Sequence, residues 1–278
     1  MLIANLILSV DEEYAGDLRA FPLNSKAMRI LVLSDVHGNK HGLQAALDAA
    51  GRVDRIVCLG DVVGYGAFPN QCCEILREAG AICLSGNHDA AALGLISIEW
   101  FNTVATEAIL WTRKQLSEEN RAWLASLPSQ MSFTDERFQA VHASLRSPWE
   151  EYIVSEQVAL LSFERMEQPL CFYGHTHVAD LYWTREDDLK SRPQPEIEHA
   201  SFRVGGGVEM EEGERYLLNP GSCGQPRDGN PDARFALFET EDRIVDVFCV
   251  QYDTRAARDA IFEAGLPHML GERLLVGQ

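Results

Sequence analysis

Short apolar runs alternate with helix-like segments through the first third of the chain. One such segment is followed by Gly51, a residue typical of a helix end, and another begins at Pro69, which suits a first helical turn. The predicted order is strand 30–33, helix 41–50, strand 55–59, helix 69–79 and strand 81–84. This strand–helix alternation predicts an α/β fold with a parallel sheet covered by helices.

The remaining pattern adds helices and hairpins to this unit. It predicts a wholly helical insert at 98–127 with a helix N-cap at Ser117, and a hairpin around 133–141. It also predicts a helix at 155–166, a strand at 170–173, a hairpin at 233–250 and a last helix at 254–264. Residues 184–214 differ, because they contain two prolines, three consecutive glycines and a surplus of acidic residues. We interpret them as a surface hairpin or flap outside the core, with a substrate-covering loop as the alternative.

The first 27 residues form a separate question. Residues 1–10 are apolar, but no basic segment precedes them and three acidic residues follow at once, which disfavours a secretory signal. Met28 opens the first strand-like run of the regular pattern. We therefore expect residues 1–27 to be an N-terminal extension or a misplaced start, and residues 28–278 to form a single domain.

Composition narrows the possible partners. The 278 residues include 42 acidic and 24 basic side chains, giving a formal net charge of −18, which disfavours long nucleic acids and anionic membranes as partners. Seven scattered cysteines without a C-x-x-C pair suit reduced thiols and a cytoplasmic location. No apolar run reaches the length of a membrane-spanning helix. A homo-oligomer is compatible with this composition.

Five short motifs rich in metal-ligating residues follow directly on predicted strands. They are D-V-H-G-N at 35–39, G-D-V-V-G at 60–64, G-N-H-D at 86–89, V-H-A at 141–143 and G-H-T-H at 174–177. A D-x-H match alone is expected by chance, and His142 alone would suit a core position, but G-N-H-D and G-H-x-H are rare. Because ligands of α/β sheets bind at the carboxyl ends of strands, the five motifs can converge on one rim. Carboxylates, imidazoles and one carboxamide suit Mn, Fe or Zn.

The order of these motifs resembles that of the calcineurin-like metallophosphoesterases, and the resemblance covers nearly the whole chain from Met28. L-N-P-G-S at 218–222 and G-Q-P-R-D-G at 224–229 are similar to the small bacterial branch, which includes phosphodiesterases and relatives of symmetrical diadenosine tetraphosphatases. The resemblance implies a four-layer αββα sandwich of two mixed β-sheets flanked by helices. It also implies a dimetal site at the C-terminal rim of the strands.

The resemblance further implies roles for individual residues. The implied metal ligands are Asp35, His37 and His177 for one ion, Asn87, His142 and His175 for a second, and Asp61 between them. His88 would lie beside the scissile phosphate, and Asp89 would orient its ring. From their residue types, Asn39 and Arg227 are candidates for contacting phosphate oxygens, with a solvated loop arginine as the alternative for Arg227.

These expectations describe a dimetal-dependent phosphoester hydrolase. We expect a phosphodiesterase that acts on a small nucleotide-like substrate and uses two divalent ions, with Mn first and Fe, Zn or Ni as alternatives. The ions would activate water for attack on phosphorus, and protonated His88 would stabilise the transition state or protonate the leaving group. The alternatives are a phosphomonoesterase or protein phosphatase, and a non-catalytic binding scaffold. All seven ligand positions carry competent residues, which argues against the scaffold.

Overall fold

The computed structural model describes residues 6–7 and 27–278. Its strands are β1 (Leu6–Ile7), β2 (Arg29–Leu33), β3 (Arg55–Cys58), β4 (Ile82–Cys83), β5 (Gln130–Phe133), β6 (Phe138–Val141), β7 (Leu170–Phe172), β8 (Ala179–Arg185), β9 (Glu198–Ser201), β10 (Gly206–Glu209), β11 (Glu214–Pro220), β12 (Ala233–Glu239) and β13 (Ile244–Val250). Its helices are α1 (Lys40–Ala50), α2 (Pro69–Glu78), α3 (Asn87–Leu93), α4 (Thr103–Gln115), α5 (Glu118–Ala125), α6 (Glu156–Phe163), α7 (Glu186–Ser191), α8 (Thr254–Glu263) and α9 (His268–Glu272), followed by a short 3₁₀ helix (Arg273–Leu275).

Two mixed sheets form the centre of the fold. Within the described residues, one sheet has seven strands in the order β1-β10-β13-β12-β2-β3-β4, and the other has six in the order β5-β6-β7-β11-β8-β9. β2, β3 and β4 run parallel, as the alternation of strands and helices predicts. β6, β7 and β11 form a second parallel group, whereas β5, β8 and β12 are antiparallel to their neighbours.

The apolar side chains separate into layers. Side chains of both sheets, such as Val57 and Phe172, meet in one core between the sheets. The helices α1 and α2 cover the outer face of the first sheet through Leu43 and Leu76. The helix α6 covers the outer face of the second sheet through Phe163. The expected α/β class and four-layer αββα sandwich are therefore confirmed.

The insert at 98–127 is not wholly helical, which corrects the expectation from the sequence. The helix α4 begins only at Thr103, where the side chain of Asn102 accepts a hydrogen bond from the Ala105 backbone N–H. A second cap at Ser117 starts α5 after a break. Each capping side chain satisfies an N–H that has no partner within its helix. The cap at Ser117 confirms the prediction, and the stretch before Thr103 is the part of the insert that is wrongly predicted as helix. The sequence pattern also missed α3, whose first residue is Asn87.

Residues 184–214 are not a flap outside the core, which is a second correction. β9 pairs with β8 at the edge of one sheet, and β10 lies between β1 and β13 of the other. Phe202 and Val208 are buried between the sheets. The glycines suit a strand here, because a Cβ on Gly207 would lie 2.2 Å from Asp246 Oδ1. The surface character that the composition indicates is confined to residues 185–201, which include the acidic helix α7 and β9 and contain no buried residue.

The interpretation of residues 1–27 falls almost entirely outside the described residues. The exception is β1, which pairs antiparallel with β10. None of the described helices is both long and apolar enough to cross a membrane.

Candidate metal centre

The two parallel groups of strands deliver the five motifs to one rim. Asp35 and His37 follow β2, Asp61 follows β3, Asn87 begins α3 just after β4, His142 follows β6, and His175 and His177 follow β7. Each of these side chains is between 0% and 2% exposed. The structure therefore brings together all seven residues that the resemblance implied as metal ligands, and it draws them from both sheets.

The backbone at this rim adopts an uncommon conformation. Five of the seven residues have a positive φ: Asp35 (53°), His37 (48°), Asp61 (52°), His175 (68°) and His177 (61°). Residues other than glycine rarely occupy this left-handed region, and where they do the strain often accompanies a functional site. The tight turns let successive side chains leave the strand end toward the same point, so the geometry of the cluster depends on this strain.

The seven side chains form two groups that share one carboxylate. Ligand atoms of Asp35, His37, Asp61 and His177 all lie within 4.8 Å of one another, and so do those of Asp61, His142 and His175. Asn87 joins the second group, because its Oδ1 lies 3.1 Å from Nε2 of His142. Asp61 Oδ2 lies 3.4 Å from His37 Nε2 and 3.5 Å from His142 Nε2, between the two groups.

The first group fits a cation and is unfavourable without one. Nδ1 of His37 lies 3.3 Å from the Val63 carbonyl oxygen, and Nδ1 of His177 lies 2.6 Å from that of Gln225. A carbonyl accepts only, so both Nδ1 atoms carry the proton and both Nε2 atoms carry a lone pair. These two Nε2 atoms face each other at 3.0 Å. Two lone pairs at this distance repel, whereas a divalent ion would bind both.

Burial governs protonation throughout the cluster. It lowers the pKa of His37, His142 and His177 well below the usual range, so that all three imidazoles are neutral and able to bind a metal ion. It raises the pKa of the Asp35 carboxyl to about 7 and that of Asp61 well above its usual range. In addition, Asp61 Oδ2 has no hydrogen-bond partner among the described residues. A buried carboxylate oxygen without a donor is costly unless a cation neutralises it.

Hydrogen bonds to neighbouring loops fix the ligands in place. Ser34 Oγ donates to Asp35 Oδ2 at 2.6 Å, and the His88 backbone N–H donates to Asp61 Oδ1 at 2.8 Å. Asn219 Nδ2 donates to the Gly174 carbonyl at 2.9 Å and thereby holds the G-H-T-H loop. Such outer contacts orient metal ligands and set their basicity.

Two glycines permit the close approach of the loops. A Cβ at Gly86 would lie 2.0 Å from Asp61 Oδ1, and a Cβ at Gly174 would lie 2.0 Å from Ser34 Oγ. Both distances are far below van der Waals contact, so any side chain at these positions would displace the carboxylate or the residue that holds it.

His88 lies beside the metal ligands in an aromatic setting. Its ring centroid is 4.8 Å from that of His37, 4.3 Å from that of Tyr65 and 5.2 Å from that of Phe101. Burial lowers its pKa well below the usual range. Its Nδ1 is buried and has no hydrogen-bond partner among the described residues. No hydrogen bond within the described residues therefore fixes the His88 ring through its Nδ1 atom.

Asp89 does not orient the His88 ring, contrary to expectation. Its carboxylate instead accepts hydrogen bonds from the backbone N–H groups of Gly86, Val62 and Val63 at 3.0 to 3.2 Å. These bonds tie the turn after β3 to the first turn of α3. Because Asp61 lies in that turn, Asp89 positions the backbone of the shared ligand rather than the neighbouring histidine.

Asn39 does not have the predicted role of contacting phosphate oxygens, because hydrogen bonds within the fold occupy its amide group. Its Oδ1 accepts from the Gly42 N–H and caps α1, and both donors of Nδ2 are taken by the Gly224 carbonyl and the Tyr252 hydroxyl. With its amide N–H groups engaged and 4% of its surface exposed, the side chain has no donor to offer a phosphate.

Arg227 lies at the site, as expected. Its guanidinium carbon is 5.8 Å from the Tyr65 ring centroid, and its Nη2 donates to Gln225 Oε1 at 2.9 Å. Its positive charge lowers the pKa of Asp35 and disfavours protonation of His175 and other histidines of the cluster. The Nε of Arg227 is buried and lacks a hydrogen-bond partner among the described residues. A guanidinium with an unused donor beside a metal cluster suits a phosphoryl oxygen.

The sequence did not indicate three aromatic residues that lie at or next to the site. Tyr65 contacts the His37 ring at 4.6 Å, and Tyr152 stacks on the His175 ring at 3.9 Å with 44% of its surface exposed. Trp100 packs on Phe101, which in turn contacts His88. Tyr65 follows the G-D-V-V-G motif directly, so its position in the sequence was the one available signal.

Comparisons with known proteins agree with this geometry. A family model described as the calcineurin-like phosphoesterase superfamily domain matches residues 28–243. The uncharacterized protein MJ0912 of Methanocaldococcus jannaschii is 36% identical over 256 residues, which cover 90% of this chain and 98% of that protein. A metallophosphoesterase structure from Sphaerobacter thermophilus is 43% identical with a TM-score of 0.78, covering 91% of this chain and 100% of that chain. The hypothetical protein PH1004 from Pyrococcus horikoshii OT3 (19% identity, TM-score 0.70, coverage 90% and 98%) shares the fold.

Proposed function

The chain belongs to the calcineurin-like phosphoesterase superfamily, and from that premise we propose that it is a phosphodiesterase acting on a compact, nucleotide-like phosphoester. The observation that supports this most is the pair of ligand groups joined by Asp61. Asp35, His37 and His177 would hold one divalent ion, and Asn87, His142 and His175 the other, with Asp61 between them. Two such ions supply the activation of water and the neutralisation of phosphoryl charge that phosphoester hydrolysis requires.

Arg227 adds a contact for the phosphoryl group beside the two ions. Its unused Nε can bind one non-bridging oxygen of the substrate. A diester carries one negative charge, whereas a phosphomonoester carries close to two at neutral pH, so the diester makes the smaller demand on the positive charge of the site. The net charge of −18 beyond the site disfavours a second anionic group.

His88 supplies a proton to the departing oxygen. Burial keeps the free imidazole neutral by lowering its pKa. An anionic phosphoryl group placed against the ring would raise that pKa again, so substrate binding itself would charge the residue. His88 would then be protonated, and able to donate a proton to the leaving group, only when the substrate is bound.

Burial limits the substrate to a compact group. The seven ligand side chains are at most 2% exposed, and the rings of Tyr65 and Tyr152 lie against those of His37 and His175. A compact phosphoester would approach such a buried cluster more readily than a flat protein surface or a nucleic-acid duplex. We therefore place the substrate among small diesters rather than phosphoproteins or long nucleic acids.

We propose Mn as the ion that the active enzyme binds. We also propose that the protein is located in the cytoplasm. The ligand groups contain nitrogen and oxygen donors without thiolate, which suits Mn and also permits Fe, Zn or Ni. All seven cysteines are free thiols, and six are buried, as suits a reducing compartment.

Parallel assays with mono- and bis-p-nitrophenyl phosphate test the proposal. Protein loaded with Mn should bind about two ions per chain, measured by mass spectrometry, and should prefer the diester. The Asp61→Asn variant, purified identically, should lose metal and turnover together, which excludes a contaminating enzyme. A strong preference for the monoester would refute the phosphodiesterase assignment.

A further inference from the structure

We propose that Trp100 is a stacking surface for a planar aromatic group of the substrate, such as a nucleobase, attached on the His88 side of the phosphorus. The proposal deepens the phosphodiesterase assignment and rests on it. It adds a specificity-determining residue on the loop between α3 and α4, outside the motifs.

The path from His88 to Trp100 consists of two ring contacts. Phe101 meets the His88 ring edge-on, with centroids 5.2 Å apart and an interplanar angle of 89°. The Trp100 indole packs on Phe101 with centroids 4.1 Å apart and an angle of 34°. The two contacts keep the Trp100 ring within about 9 Å of the proposed proton donor, which is a distance that a sugar between a phosphate and a base can span.

Phe101 is anchored while Trp100 is not. Phe101 packs with Val104 and Trp111 of α4 into a small apolar cluster that also contains Tyr65. The Trp100 ring lies outside that cluster with 46% of its surface exposed. A fixed inner ring thus holds an outer indole in place without covering it. Exposure of one apolar side chain is ordinary by itself, but an exposed indole face combined with the ring contacts that lead to His88 indicates a ligand surface.

The chemistry of the surface selects a planar group. An indole face binds flat π-systems by stacking, and base–aromatic stacking is tolerant of base identity. The neighbouring Glu99 is exposed, which disfavours a second phosphate over this loop. The rings of nucleobases and of synthetic aryl esters share this chemistry, and the loop has no donor set directed at one base.

Competitive inhibition by a matched pair of compounds tests the proposal. Adenosine 5′-monophosphate and ribose 5-phosphate share the phosphate and the sugar and differ in the base. Inhibition of bis-p-nitrophenyl phosphate hydrolysis by the Mn-loaded protein should be about 10-fold tighter for the nucleotide, the gain expected of one stacked base. Trp100→Ala should bring the two constants within about 2-fold, and Trp100→Phe should retain most of the difference.

Leu110→Ala provides the control, because Leu110 is an exposed residue of α4 that contacts none of the site residues named here. It should leave both inhibition constants unchanged. Equal constants in the wild-type protein, or a base preference that survives Trp100→Ala, would overturn the stacking role. The same ratio measured by calorimetry does not need turnover, so a preserved ratio without diester hydrolysis would count against the proposed activity alone.

Discussion

Removal of the divalent ions should destabilise the protein more strongly as the pH rises from 6.5 to 8. The reason is the pair of buried carboxylates at the rim. Burial raises the pKa of Asp35 to about 7, and it raises that of Asp61 well above the usual range, with the Asp89 and Asp35 charges adding to the effect. In the unfolded chain both groups titrate near 4.

The sign follows from where each state holds its protons. Between the two pKa values the folded protein keeps a proton that the unfolded chain has already released, so stability is lost as the pH rises through the folded value. For Asp35 a shift from 3.8 to about 7 corresponds to roughly 4 kcal/mol in total. Between pH 6.5 and 8 Asp35 would lose roughly 1 kcal/mol of this, and a second carboxylate that stays protonated throughout would lose at most about 2, so the total is on the order of 1–3 kcal/mol.

Two other classes of side chain set the limits of this pH window. Burial lowers the pKa of the histidines of the site, so they stabilise the fold increasingly as the pH rises. Half of each unfolded imidazole is still protonated near pH 6.5, so this gain continues to about pH 7.5, at roughly 0.4 kcal/mol for each histidine. Burial raises the pKa of the Cys72 and Cys223 thiols, which would oppose folding above about pH 8. Because these imidazoles and thiols are uncharged in the folded protein with or without the ions, the difference between chelated and Mn-loaded protein isolates the carboxylates.

Thermal unfolding followed by circular dichroism measures the effect. Relative to protein saturated with Mn, the melting temperature of the chelated protein should fall by about 5 °C from pH 6.5 to 8, because the ions keep both carboxylates charged in the folded state. Asp61→Asn should reduce this relative fall and should be more stable than the chelated wild type at pH 8. A gap between the chelated and the Mn-loaded melting temperatures that stays level or narrows as the pH rises would refute the reasoning.

Further substitutions separate the roles of individual residues. His88→Ala should keep both metals by mass spectrometry yet lose about 10²–10⁴-fold in kcat, the usual contribution of a proton donor; full activity on diesters would contradict its role. Arg227→Lys should raise KM for the diester with metal content unchanged, because an ammonium lacks the fork of donors; an unchanged KM would remove Arg227 from the binding site. Gly86→Ala should abolish metal binding, since its Cβ would lie 2.0 Å from Asp61 Oδ1, whereas Gly80→Ala, with open space around it, should lower stability but retain the metals.

The cluster itself could be predicted from the sequence because it depends on topology. Each motif follows a strand directly, and the strands of one parallel group end at one rim. Asp35, Asp61 and Asn87 therefore converge whatever the exact conformations of their loops. His142 and His175 come from the other sheet. Their approach to the first group required the two sheets to pack face to face, which the resemblance implied and periodicity alone did not.

The two failed assignments have one physical cause. Asn39 and Asp89 lie within motifs and have the right residue types, but their polar atoms are taken up by backbone groups of nearby turns. A sequence shows which donors and acceptors a residue has and not which partners satisfy them. Trp100 was missed because it was assigned to the helical insert, whereas it lies in the loop before α4. Tyr152 was missed because a single aromatic residue in a loop has no pattern from which its neighbours can be inferred.

The metal centre also connects the two sheets. In the first ligand group, Asp35, His37 and Asp61 come from one sheet and His177 from the other, and in the second group Asn87 and Asp61 face His142 and His175 across the same boundary. Each ion would therefore bind both sheets at the rim where the strained turns lie. The ligand side chains of the two sheets repel each other when no ion lies between them. Metal binding would therefore both enable catalysis and hold the two sheets together at this rim. Amide hydrogen exchange in chelator should accelerate first in the turns after β3 and β7, ahead of the core strands, as the ligand loops separate.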